Sequence, residues 1–453
     1  MKKNKFSVLR WIVLVLVVII GIAGFVLLKP IDKSAYYENK YFYKTTESIN
    51  NNQAFARENN GDTVRGSWSK VSLIPPFATP IAINANRNGK MFEGIHDSLF
   101  VRSFVFQQGK YKVAYVSADL LIIPPIVTTI LDTLLIKEGY SLSNIYLSAT
   151  HTHTGIGAWH NSFVGEMFAG KYDPRVPLFI AQQIKKSILA AQNNLEPIKV
   201  GCTTIDTRKL VYNRLLENGG EVDSIIRLVK FEKKGGETAA LITFTAHATC
   251  LHDRVMELSN DWPGILMSKM DSSKKVDLCV FSAGCVGSHG PYKCKKDKWD
   301  ELNYIGNLAT NYVYKHIDNI QMEYVYRLNM VHQPILMREP NYKIMFNLVL
   351  RQRWFYKFFG KENIYINMLS LNDLVFAGMP CDFSGEMSDE LDAAAEAQNK
   401  KLLVTSFNGC FIGYITDDRR YDMNTYETKT MNWYGPGNGS YLTEILMRMM
   451  NKM

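Results

Sequence analysis

Apolar and polar positions along this chain follow two alternating periods. Strands are predicted where the period is two, over 102–106 and 112–117 around a Gln108-Gly109-Lys110 turn, and over 198–205 and 226–231. Runs at 144–149, 240–245, 277–282, 364–369, 374–377 and 402–406 are predicted as further strands. Helical spacing predicts helices over 124–137, 176–191, 263–270, 302–316, 385–397 and 439–450; prolines open the first, where the missing N–H costs nothing. Strands and helices alternate throughout and no linker divides them. The expected architecture is α/β, with one large mixed-sheet domain over 67–453.

The N-terminus follows neither period. Residues 11–28 carry no charge and are rich in Val, Ile and Leu, and Lys2, Lys3, Lys5 and Arg10 precede them. At about 1.5 Å per residue such a helix nearly crosses a bilayer, and its basic flank predicts a cytoplasmic N-terminus with the domain on the far side. A cleaved signal peptide would need a shorter apolar core and a small-x-small site, and Phe25-Val26-Leu27-Leu28-Lys29-Pro30 offers none. The expected organisation is therefore an uncleaved single-pass anchor with its flank (1–30), a polar, Asn-rich tether with some local structure (31–66), and the domain.

Composition narrows the function classes. With 47% hydrophobic and 21% charged residues in 453, the chain is a folded globular protein. A net charge of +9 without zinc-finger spacing or a long basic run points to anionic lipid rather than nucleic acid. Seven scattered cysteines without a CxxC pair do not make a disulfide framework, and buried free thiols are expected.

Candidate chemistry begins at His151-Thr152-His153. On an extended segment residues two apart share a side, so two imidazoles could hold one metal, or one could bind while the other moves protons; polar packing is the alternative. The motif ends an apolar strand and runs into Thr154-Gly155-Ile156-Gly157, a usual place for a site in α/β proteins. His247 ends another apolar strand, and Asp261 and His252 downstream could support it. Asp382 follows the strand at 374–377, whereas Glu386 and Asp389 read as exposed positions of the next helix.

Several segments, taken in order from about residue 67, resemble one family. Trp68-Ser69-Lys70-Val71-Ser72-Leu73-Ile74-Pro75-Pro76, Gly94-Ile95-His96-Asp97-Ser98-Leu99-Phe100-Val101-Arg102 and Ser148-Ala149-Thr150-His151-Thr152-His153-Thr154-Gly155 are similar to the "DITPP", "G(I/V)HDPLYAR" and "ATHTHSGP" segments of neutral/alkaline non-lysosomal ceramidases and their smaller bacterial relatives. Tyr212-Asn213-Arg214, Phe244-Thr245-Ala246-His247-Ala248-Thr249 and Phe411-Ile412-Gly413-Tyr414-Ile415-Thr416 resemble that family's "NRS", "FPVHSTS" and "YxxYVT" segments. The resemblance implies a zinc ion held by His151, His247, Asp382 and Tyr414, with His153 and Arg214 serving the reaction and substrate. Asp382 stands where the family has glutamate, and Glu386 competes for the role. The family's serine-bearing "NAGNxSPN" loop is matched loosely by 281–289, which makes Ser288 a third catalytic candidate. No segment matches the family's C-terminal immunoglobulin-like domain.

The resemblance implies zinc-assisted hydrolysis of the amide of an N-acylated, ceramide-like lipid. Two alternatives stand beside it: an N-deacylase of another N-acyl compound such as a surface-polysaccharide amino sugar, and a membrane-anchored, non-catalytic lipid-binding scaffold. A last clue is the dense mix of basic and aromatic residues in 351–361 behind the apolar 344–350. It reads either as a segment lying in the bilayer interface or as a core-packed helix with a basic outer face.

Overall fold

The computed structural model describes residues 2–57, 61–83, 86–87, 89–216, 219–251, 254–294 and 297–453, with side chains from residue 8 onward. The helices are α1 (Lys2–Leu27), α2 (Lys40–Asn51), α3 (Pro125–Leu135), α4 (Phe163–Ala169), α5 (Arg175–Ala191), α6 (Asp261–Ser272), α7 (Lys298–His316), α8 (Gln352–Phe359), α9 (Ser388–Glu396) and α10 (Asn438–Met450).

Two mixed sheets form the centre. Across the larger one the strands run Leu278–Ala283, Thr238–Phe244, Ile225–Lys233, Glu196–Asp206, Arg65–Ser72, Phe100–Gln108, Tyr111–Ala118 and Ile145–Ala149, with Glu323–Tyr324 beside Glu196–Asp206. The smaller sheet runs Leu328–Pro334, Tyr365–Leu371, Leu374–Gly378 and Lys401–Thr405. The period of two explains the layering. Val101, Val105, Val116 and Leu147 pack on α3 and α5, while their neighbours Phe104, Phe106, Tyr115 and Tyr146 pack between the sheets. Ile226, Leu228, Ala240 and Ile242 meet α6 and α7 on the outer face. Beyond the smaller sheet lie α2, α9 and α10. The result is four layers, helices–sheet–sheet–helices, so the α/β expectation with a large mixed sheet stands.

Two features of this architecture make the site. The larger sheet curls until its ends touch: Ser148 Oγ lies 2.7 Å from Ser282 Oγ, and Ser117 Oγ donates to Phe281 O at 2.5 Å. Small hydroxyl side chains permit that approach. Moreover, Ile145–Ala149, Thr238–Phe244 and Leu374–Gly378 each have a parallel neighbour, and the chain leaves their C-terminal ends at 150, 245 and 379.

The N-terminal segment is more structured than its polar composition suggests. Among residues 31–66, α2 buries Phe42 and Ile49 against the smaller sheet's outer layer, and Arg338 Nη1 and Nη2 donate to Asp32 O and Ser34 O at 2.6 and 2.7 Å. Helix α1 carries the span Val8–Leu27, long and apolar enough to cross a membrane, with none of it buried and only its last residues partly covered. The seven cysteines are free.

Candidate metal centre

His151 follows the strand Ile145–Ala149 in a left-handed conformation, φ 64°, unusual for a side chain of this size. Its backbone N–H donates to Leu120 O at 2.9 Å and Phe407 stacks on its ring at 4.0 Å, which hold the turn. Its Nδ1 donates to Leu121 O at 2.5 Å, so Nε2 is left with a lone pair. His247 is arranged alike: Nδ1 lies 3.2 Å from Val286 O, leaving Nε2 free. The two Nε2 atoms face each other at 2.7 Å, and His153 Nε2 lies 3.4 Å from the first and 3.1 Å from the second.

Facing lone pairs repel unless a cation lies between them. A proton is a poor candidate, because burial drives the pKa values of His151 and His247 well below the usual histidine range and that of His153 to about 3. The three nitrogens lie close enough together to hold one metal ion. Asp382 supplies the missing charge. It is buried, its Oδ1 lies 3.4 Å from His151 Nε2, and among the described residues neither carboxylate oxygen has a hydrogen bond of good geometry, the nearest donors being Arg214 and the Tyr414 hydroxyl beside it. Burial raises its pKa to about 8, opposed by the Arg214 charge. A buried carboxylate beside three converging imidazole nitrogens is a donor set that suits a divalent cation. Ligands at about 2.0–2.1 Å on a tetrahedral zinc would stand about 3.4 Å apart, close to most of these separations.

Tyr414 lies on the strand Tyr414–Ile415, paired in parallel with Asp382–Phe383, its ring 6.5 Å from that of His247. Gly413 before it has φ 81°, and a Cβ there would stand 2.2 Å from Met431 O, the acceptor of the Tyr414 N–H. Gly413→Ala is expected to destabilise the chain by about 1–3 kcal/mol and to lower its metal content; an unchanged urea midpoint would show that this turn tolerates the methyl group. Arg214 stands over the Tyr414 ring at 5.4 Å, held by Glu427 Oε1 at 2.9 Å from its Nε. Its guanidinium stays charged, since Tyr414, Glu427 and Asp382 outweigh its burial.

Other candidates fall outside this group. Ser288 is buried, but its hydroxyl accepts from Ser384 at 2.7 Å and lies 2.7 Å from His289 Nδ1. Glu386, expected on an exposed helix face, is buried and pairs with Arg420 at 3.0 Å. Asp261 pins the loop after His247 by accepting from the N–H groups of Cys250, Leu251 and Trp262. His252 lies outside the described residues. Two residues were not foreseen. Arg87 donates to His153 O at 3.2 Å and to Ala82 O at 2.7 Å, which fixes the turn carrying His153. Tyr426, on the single helical turn Tyr426–Thr430, lies 5.9 Å ring to ring from Tyr414. Neither belongs to an apolar period, and only their position in the fold reveals them.

The centre lines a cavity. His151, His153, Arg214, Asp382, Tyr414 and Tyr426 line it together, and Leu121, Ile122, Phe168, Phe359, Phe411 and Trp433 form much of its apolar wall.

Residues 85–288 match the family model described as neutral/alkaline non-lysosomal ceramidase, N-terminal. A neutral ceramidase of Oryza sativa subsp. japonica is 28% identical over 188 residues, which cover 38% of this chain and 24% of the rice protein, so the chain spans about a quarter of that relative. The crystal structure of neutral ceramidase from Pseudomonas aeruginosa has the same fold, with TM-score 0.76 and 18% identity over 86% of this chain and 74% of that one. A ceramidase complexed with C2 superposes with TM-score 0.71 and 18% identity, over 85% and 74% of the two chains.

Proposed function

We propose, from the membership of residues 85–288 in the neutral/alkaline non-lysosomal ceramidase family, that this chain is a membrane-anchored, zinc-dependent amidase. Its substrate would be an N-acylated, ceramide-like lipid, and its products a fatty acid and a free amine. The observation that carries the reading is the Asp382 carboxylate beside three converging imidazole nitrogens, in the lining of an apolar-walled cavity. Such a wall suits an acyl chain better than a sugar. Helix α1 would be the anchor, with the domain on the extracytoplasmic side.

His151, His247, Asp382 and Tyr414 would hold the ion, which supplies Lewis acidity for the amide carbonyl and acidifies water to a pKa of about 7. The remaining work falls to the chain. His153 is a free base across the neutral range, because burial and the charges of Arg214 and Arg87 keep its proton off. It takes a proton from the attacking water and returns it to the leaving nitrogen as the C–N bond breaks. Negative charge growing on the carbonyl oxygen makes the imidazole more basic as the transfer proceeds. Arg214, fixed by Glu427, with the Tyr426 hydroxyl beside it, stabilises that oxygen.

The test is metal analysis of the purified chain together with a hydrolysis screen of ceramide against N-acetylated amino sugars. About one zinc per chain and fatty-acid release from ceramide are expected. Acetate release from the sugars alone would transfer the chemistry to an N-deacetylase, and absence of both metal and hydrolysis would leave a lipid-binding scaffold.

A further inference from the structure

We infer that the α4–α8 wall of the cavity rests on an anionic bilayer, held there by α1, so that the cavity draws its ligand from the leaflet in which α1 ends. The proposed amidase is needed only to say what enters.

Helix α1 is fastened to the domain rather than leashed to it. Leu27 runs directly into the strand Leu28–Pro30, which pairs antiparallel with Leu348–Leu350 in the register Leu28↔Leu350 and Pro30↔Leu348. The last helical carbonyls, which would otherwise lack partners, are taken by groups at the start of α8. Arg351 N donates to Leu27 O at 2.8 Å, Arg351 Nε to Phe25 O at 3.2 Å, and Trp354 Nε1 to Val26 O at 3.2 Å. The orientation of the domain relative to the span is therefore set.

That orientation places the cavity near the lipid. Helix α8 is about 12 Å long. Its first turn meets the end of α1, and its last residue, Phe359, lines the cavity. Phe358 packs on Phe163 of α4 at 5.9 Å, and Val164, Gly165 and Phe168 of α4 line the cavity too. Along this edge large apolar side chains face outward. Phe163 and Met167 are 64% and 60% exposed, and Phe346 is 89% exposed at the tip of the hairpin that leads into Leu348–Leu350. Phe346 adopts φ 47°, a costly conformation for an aromatic residue, to point away from the protein.

Charge selects the occupant. Residues 343–361 contain Lys343, Arg351, Arg353, Lys357 and Lys361 and no acidic residue. Arg353, Lys357 and Lys361 are exposed, and Arg353 and Lys357 flank the Trp354 ring at 5.2 and 5.0 Å. Apolar tips, an aromatic belt and basic side chains, continuous with the end of a membrane-length helix, match the acyl region and anionic headgroups of one leaflet.

The experiment uses the full-length chain in nanodiscs of phosphatidylcholine containing one quarter phosphatidylglycerol, prepared with and without bromine on the acyl chains. Phe346→Trp and Met167→Trp each add one indole to the 7 native tryptophans at an exposed position. The added emission, variant minus wild type, is expected to fall by half or more in the brominated discs for both variants. Equal added emission in the two discs, at either position, would overturn the inference and leave that surface to solvent or to a second copy. Quenching reads depth rather than hydrolysis, so failure of the amidase reading would not alter this result.

Discussion

His247→Ala is expected to remove stoichiometric zinc and, with it, amide hydrolysis, while the chain stays folded. In the structure the His151 and His247 Nε2 atoms lie 2.7 Å apart. Deleting the buried His247 imidazole takes one nitrogen from the cluster and leaves a small cavity, so a modest loss of stability is expected from the cavity alone. The contrast appears on adding zinc. A ligand at a thousand times its dissociation constant stabilises the native state by about 4 kcal/mol, so wild type should gain that order of stability and the variant almost none. Urea unfolding with and without zinc, alongside elemental analysis, measures both effects. A variant that keeps its zinc, or that zinc stabilises as much as wild type, would remove His247 from the centre.

His153→Ala separates the two roles that the geometry leaves open to the motif's second histidine. Its Nε2 is near enough to His151 and His247 to be a third nitrogen ligand, yet it also lines the cavity where a substrate amide would sit. If His153 moves protons, the variant should retain about one zinc per chain and lose about 10²–10⁴ in kcat, the usual contribution of a positioned acid–base group. Its KM should change little, since binding rests on the apolar wall. Loss of zinc would make His153 a ligand instead, and full activity would deny it either role.

Much of the fold is legible in the sequence because burial is written at short range. The strand Ile145–Ala149 is a run of apolar and small residues, and its facing side chains, Tyr146 and Leu147, separate cleanly into different layers. His151, His247 and Asp382 are legible for the same reason, since each follows a strong strand signal. Resemblance was needed for Tyr414, which otherwise reads as a core tyrosine. What the sequence conceals is distance across the fold. Nothing local states that Ser148 and Ser282 touch, yet that contact brings the two histidine-bearing ends of the sheet together. Tyr426 and Arg87 act through position alone. Helix α2 is hidden by its polar composition, because only Phe42, Thr45 and Ile49 face inward. Ser288 shows the opposite failure: a plausible place in a motif, but a hydroxyl engaged with Ser384 and His289.

The touching ends of the larger sheet also bear on the order of folding. Ser148 and Ser282 are separated by 134 positions, and His151 and His247 by 96. Contacts of such long sequence separation form slowly, because the loop must close before the contact rewards it. The turn at His151 is itself held by Phe407, far along the chain, so the three imidazoles converge only after both the smaller sheet's loop and the far end of the larger sheet have arrived. Metal uptake would thus act as a clock for the last stage of folding, and a kinetically trapped chain with an open sheet would leave synthesis unloaded.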